Sequence, residues 1–150
     1  MELAKKYKVF AFINLVIAIS IVTILSVETH VAFILPPFLA TAATKLPDPA
    51  WKFQRSLVII SSYLLSAVIA VIFVTLVGSG IFIAVIASII SYGIELLLNI
   101  EHPPSILATF LGVLERVSPL YILHPVFAGV ITIEGINFGL SKLMKVYEKK

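Results

Sequence analysis

The sequence predicts an all-α integral membrane protein with four transmembrane helices, and three observations carry that prediction. Hydrophobic residues make up 60% of the 150 and charged residues only 13%, against roughly 25% charged in an ordinary soluble domain. Mean hydropathy is +1.11. Four apolar stretches each approach the ~20 residues needed to cross a hydrocarbon core of about 30 Å. The apolar excess runs along the whole chain, so one transmembrane domain over residues 1–150 is expected, with no separate soluble domain.

The first stretch, 9–27, follows Lys5, Lys6 and Lys8 as the core of a secretory leader would. Its apolar run is longer than the roughly 7–15 residues of such a leader and no A-x-A site follows, so a retained helix is expected. The second stretch, 57–77, and the third, 81–100, are separated by Gly78, Ser79 and Gly80, which leaves room only for a tight hairpin. The fourth covers 119–140. The side holding both termini carries Lys5, Lys6, Lys8, Lys142, Lys145, Lys149 and Lys150, and the other side carries Lys45, Lys52, Arg55 and Arg116. Both termini are therefore expected in the cytoplasm. Trp51, Phe53 and Tyr121 then fall at the outer interface, and Tyr7 and Phe10 at the inner one. The pI near 9.2 reflects this clustering of lysines at the two ends, which suits a membrane face and not a nucleic acid. The chain has no cysteine, which excludes disulfides, thiolate metal sites and cysteine nucleophiles. His30, His102 and His124 share the predicted outer side, but their spacing matches no metal-ligand pattern, and no metal or cofactor is expected.

Two apolar segments, 31–44 and 103–113, are too short to span and have the length of re-entrant or interfacial pieces. They resemble each other: "PPFLAT" begins at Pro36 and Pro37 and ends at Thr41, while "PPSILAT" begins at Pro103 and Pro104 and ends at Thr109. Each follows one span and leads into another, so the chain reads as two repeats, about 9–77 and 81–143, of helix, Pro-Pro half-helix and helix. Each repeat crosses twice, which gives both the same orientation about an axis along the membrane normal. Proline is favoured in a first helical turn, where its missing N–H costs nothing. A helix starting there presents unpaired N–H groups and a positive dipole end, a ready site for an anion if it dips into the membrane. A flat interfacial connector is the alternative reading.

Polar residues inside the spans fall on faces. Ser88, Tyr92, Glu95, Asn99 and His102 are separated by steps of 4, 3, 4 and 3 residues, which at about 100° per residue keeps them on one side of the third helix. Glu134, Asn137 and Ser141 form such a face on the fourth, and Arg55, Ser62 and Ser66 on the second. A carboxylate in the bilayer costs at least ~2.5 kcal/mol, so Glu95 must face a partner or water. The serines serve equally well as hydrogen-bonding links between helices, and Glu95 and Glu134 as protonated structural residues.

His102, Pro103 and Pro104, together with the earlier block "PPFLATAATKLPDPAWKFQRSLVIISSYLLSAV", make the chain resemble the HPP family of integral membrane proteins, named for its His-Pro-Pro motif. The resemblance covers most of the chain. Where the family usually continues with Ala-Gly, this sequence has Ser105 and Ile106. Chloroplast and cyanobacterial members are described as nitrite transporters, so the resemblance implies movement of nitrite or a similar small inorganic anion. In that reading the half-helices at Pro37 and Pro104 approach the ion, Thr41, Ser105 and Thr109 donate hydrogen bonds, and Arg55 concentrates anions at the mouth. Glu95 would repel a bare anion, so it stays protonated or carries a proton with the substrate, in exchange with His102. A multi-pass protein of the cell membrane, acting as a homo-oligomer because four spans enclose little, is the expected setting. A non-transporting scaffold that binds partner helices is the alternative, and no enzyme is expected, because nothing supplies a nucleophile with its base or a nucleotide loop.

Overall fold

The computed structural model describes residues 2–45, 50 and 52–148. The side chains of Lys5, Lys6, Trp51, Lys149 and Lys150, on which part of the charge count and of the outer aromatic belt rests, lie outside the described residues. Among the described residues every regular element is helical: α1 (Glu2–Glu28), α2 (Leu35–Thr44), α3 (Phe53–Leu76), α4 (Ile81–Leu98), α5 (Pro103–Leu114) and α6 (Ala128–Glu148).

Three stretches among the described residues are long and apolar enough to cross a membrane: Tyr7–Glu28, Phe53–Leu76 and Pro119–Val146. The predicted third span is shorter than these, with its apolar helix over Ile81–Leu97. It stops because Asn99 takes the left-handed conformation (φ 55, ψ 40) and the Ile100 N–H turns back to the Glu95 carbonyl, a common way to end a helix. In the last stretch the backbone leaves the helix at His124 (φ −139, ψ 123), as the residue before a proline favours. The regular α6 begins at Ala128. Both double-proline segments are helices, each opening with its prolines in the first turn.

Packing divides the chain into two compact units, Met1–Phe53 with Ile131–Lys150, and Gln54–Val130. In the first, α1 buries Asn14, Ala18, Val22 and Ser26, one turn apart, and packs against α2. The Asn14 amide donates to the carbonyl of Lys45, just past the end of α2. Since α2 starts beyond the end of α1, reaching Asn14 means that it runs back along α1.

The second unit has its register fixed by five contacts. Ser62 Oγ lies 2.6 Å from Ser105 Oγ, and Thr109 Oγ1 donates to the Ser66 carbonyl at 3.0 Å. A Cβ on Gly112 would come within 2.8 Å of the Ala70 Cβ. The partners on α3 and α5 advance together, so those helices are parallel. Ser66 meets Ser91 while Ser105 meets Glu95, which makes α4 antiparallel to both. The buried faces are built from small residues, among them Ala84, Ala87, Ser88 and Ser91 on α4 and Ser105, Ala108 and Gly112 on α5, which lets the backbones approach closely.

α5 therefore folds back along α4 instead of crossing the end of the unit. Just beyond it, Arg116 Nε donates to Ser79 Oγ at 2.7 Å in the α3–α4 turn. This corrects the grouping of Arg116 with Arg55, which stands at the other end of α3. The grouping assumed that segment 103–113 returns to the side it left, whereas it runs inward. Lys45 is corrected in the same way. It is 3% exposed and level with Asn14, about halfway along α1, so it is no surface lysine.

The contact at Gly112 yields a prediction. Gly112→Ala must push against Ala70 and the Tyr121 ring, whose Cε1 the new methyl would meet at 3.0 Å, and is expected to lower unfolding stability by about 1–3 kcal/mol. Ala70→Gly in the same chain should recover part of that loss in a detergent unfolding titration. Equal stability of Gly112→Ala and the parent protein would contradict this close approach.

Candidate functional site

Polar side chains are buried in each unit, and the two clusters are built differently. In the second unit the centre is Glu95, fully buried on α4. Its Oε1 accepts from Ser66 Oγ and from Ser105 Oγ, both at 2.8 Å. Its Oε2 accepts from the backbone N–H of His102 at 3.2 Å. Ser91 Oγ lies 3.1 Å from Ser66 Oγ and 3.0 Å from Thr109 Oγ1. The His102 ring is buried and tilted against Tyr63, with centroids 5.9 Å apart. Among the described residues no cation pairs with Glu95; its oxygens are met by hydroxyls and one amide.

The start of α5 is where the sequence reading places a permeating anion. The structure puts the Glu95 carboxylate there, against the His102 N–H and the Ser105 hydroxyl. A carboxylate suits that place because the orphan N–H groups and the dipole of a helix start favour negative charge.

Counting protons shows what the cluster can do. Ser105 has one hydroxyl proton but two acceptors in reach, Glu95 Oε1 at 2.8 Å and the His102 carbonyl at 2.6 Å, while it accepts from Ser62. If the proton goes to Glu95, an ionised carboxylate is satisfied. If it goes to His102, a proton on Glu95 completes the same contact in the opposite sense. The heavy atoms need not move, so the site accommodates a proton arriving or leaving.

In the first unit Lys45 Nζ lies 2.8 Å from both carboxylate oxygens of Glu134. The two side chains are 4% and 5% exposed. Asn14, whose Nδ2 makes a long 3.5 Å hydrogen bond to the Lys45 carbonyl, and Asn137, on the same face of α6 as Glu134, are both buried. The Oδ1 of Asn14 and the Nδ2 of Asn137 have no hydrogen-bond partner among the described residues.

The structure thus brings Glu95, His102, Ser105 and Thr109 together in one unit, and Glu134 and Asn137 onto a single buried face in the other. Thr41 and Pro37 are buried on α2, while Pro36 and Pro103 are exposed and Pro104 is half-buried. Arg55 is exposed at the start of α3, two turns before Ser62. The polar face drawn through Tyr92 and Asn99 is corrected: Tyr92 is half-buried and Asn99 is exposed in the turn that ends α4. Ser91, four residues before Glu95, takes their place. Lys45, Asn14 and Ser91 escaped the sequence reading. Asn14 is a polar residue within an apolar run, a signal in plain sight; Lys45 was hidden by its position at the end of an apolar segment, where lysines are usually wet.

A protein-family model described as HPP, transmembrane region, matches residues 2–147. No curated protein and no solved structure gives a match.

The buried ion pair gives the second prediction. Lys45→Met leaves the Glu134 carboxylate buried without its cation and is expected to cost about 3–5 kcal/mol of unfolding stability. Adding Glu134→Gln should restore most of it, because a neutral pair needs no compensation. Additive losses in this double-mutant cycle would mean that the two charges do not depend on each other.

Proposed function

Because the chain belongs to the HPP transmembrane family and is a multi-pass integral membrane protein, we propose that it is a transporter or channel for a small monovalent anion, with nitrite as the first candidate. The observation that carries this reading is the cluster around Glu95. The hydroxyls of Ser66, Ser91, Ser105 and Thr109 converge beside the first two turns of α5, at the level of Ser62 and Ser66, about 8–14 Å along α3 from Leu57. That is inside the apolar depth of a helix long enough to span. Polar backbone and side chains at such depth are tolerated where they are buried in protein or line a pathway.

In this reading α4 is the fourth span: its 18 residues cover about 27 Å, and the Ser66–Ser91 contact sets it beside nearly the whole apolar part of α3. α2 and α5 are re-entrant arms, each folded back along the span before it. The two repeats are then span plus re-entrant arm, α1 with α2 and α4 with α5, each followed by a further span. Placing Arg116 at the α3–α4 turn adds a positive charge to the side proposed to be cytoplasmic and leaves Lys52 and Arg55 opposite. Arg55, exposed above the Ser62 face, attracts anions to that mouth. Selectivity for the substrate comes from the hydroxyls of Ser66, Ser105 and Thr109, which replace water around the ion. Glu95 holds their place in the absence of substrate and accepts a proton when the anion takes them over. A homo-oligomer in the cell membrane and a non-enzymatic role complete the proposal.

Liposomes containing only the purified protein test it, with nitrite flux followed at two pH values and chloride and nitrate as competitors. Protein-dependent nitrite flux that rises as pH falls is expected, and Glu95→Gln should weaken that pH dependence. Folded protein that moves none of these anions would replace the transport reading with that of a scaffold for partner helices. Flux with unchanged pH dependence in Glu95→Gln would remove Glu95 from the proton path.

A further inference from the structure

We infer that Lys45 is an anion-binding cation held in reserve by Glu134, and that an incoming monovalent anion takes Glu134's place on its ammonium. This deepens the anion-transport reading above and rests on it. A lysine taken out of water needs a counter-charge, and here an acid from the same unit supplies it at 2.8 Å. The ammonium faces a species of one negative charge and two oxygens, a description that a carboxylate shares with nitrite.

Two further buried amides belong to the residues around this pair. Among the described residues, Asn14, 0% exposed, has no partner for its Oδ1, and Asn137, 2% exposed, none for its Nδ2. Leaving such groups unsatisfied in a dry interior is unfavourable. Asn14 touches the Lys45 backbone, and Asn137 follows Glu134 by three residues on one helix face. A small hydrated anion, or the anion with a proton-bearing acid beside it, offers the donor and acceptor that both amides lack.

Charge balance sets the stoichiometry. The resident pair is neutral, and adding an anion alone would bury a net charge, which is strongly unfavourable. A proton bound by Glu134 as the anion reaches Lys45 keeps the site neutral, so one proton accompanies one anion. The charged group facing Glu134 from the end of α2 is Lys45. Among the described residues, the buried polar residues of α1 are Asn14 and Ser26, and α6 adds Asn137 and Ser141 beside Glu134, all four uncharged.

The test is equilibrium binding of nitrite, and of nitrate as a second probe, to the full-length protein in lipid nanodiscs. Binding should tighten as pH falls. Glu134→Gln, which removes the competing charge, should bind about tenfold more tightly and lose the part of the pH dependence that Glu134 carries. Lys45→Met with Glu134→Gln, a neutral pair expected to fold, should bind at least about tenfold more weakly. Parent-like binding and flux in that folded double variant would overturn the role of Lys45 and leave the transport reading standing. Absence of both binding and flux in the parent protein would overturn the transport reading and this inference together.

Discussion

A carboxylate inside a hydrophobic helical unit has to be given hydrogen bonds, and that requirement organises the second unit of this protein. Glu95 is satisfied from three directions, by Ser66 on α3, Ser105 on α5 and the His102 amide at the break between α4 and α5. Meeting all three fixes how far α5 can slide along α3 and where α4 must end. The helix stop at Asn99, the prolines of the new helix start and the small residues on the facing surfaces all serve that geometry. A hydrophobic run halts at Glu101 and His102 because the chain must reverse there to bring the start of α5 back to Glu95.

The first unit meets the same constraint with opposite chemistry. There a lysine is carried inward at the end of α2 and is neutralised by Glu134. In both units a short proline-initiated helix folds back along the long helix before it, and in both an acid of the protein occupies the place best suited to a small anion. Glu95 sits on a helix start lined with hydroxyls, and Glu134 sits on an ammonium. In the proposed transport reading such resident acids keep the site folded and neutral and are what a substrate displaces. The same reading links anion and proton, because an acid displaced in a dry interior is stable only when it is neutralised.

Much of this was legible in the sequence because it rests on period and punctuation. The apolar runs, the Gly78-Ser79-Gly80 hairpin, the two double-proline helix starts and the buried face of Glu134, Asn137 and Ser141 all follow from local rules. The directions of α2 and α5 did not, since nothing local says whether a short apolar helix lies across the end of a unit or returns along its neighbour. That single ambiguity misplaced both Lys45 and Arg116. It also drew a polar stripe through Tyr92 and Asn99, because continuing the helical period to His102 ignored the left-handed turn that Asn99 provides. Ser91 became visible only once α3 was seen to pack beside α4.

The central claim is that the protein's own carboxylates stand where the anion binds. Infrared difference spectroscopy of the protein in lipid, on adding nitrite at constant pH, tests it most directly. The account predicts loss of carboxylate bands and gain of the carbonyl stretch of a protonated carboxyl group, with the Glu134 and Glu95 contributions each removed by the corresponding glutamine variant. Bound nitrite with no change in any carboxyl band would contradict it, because the anion would then occupy a place that neither acid holds.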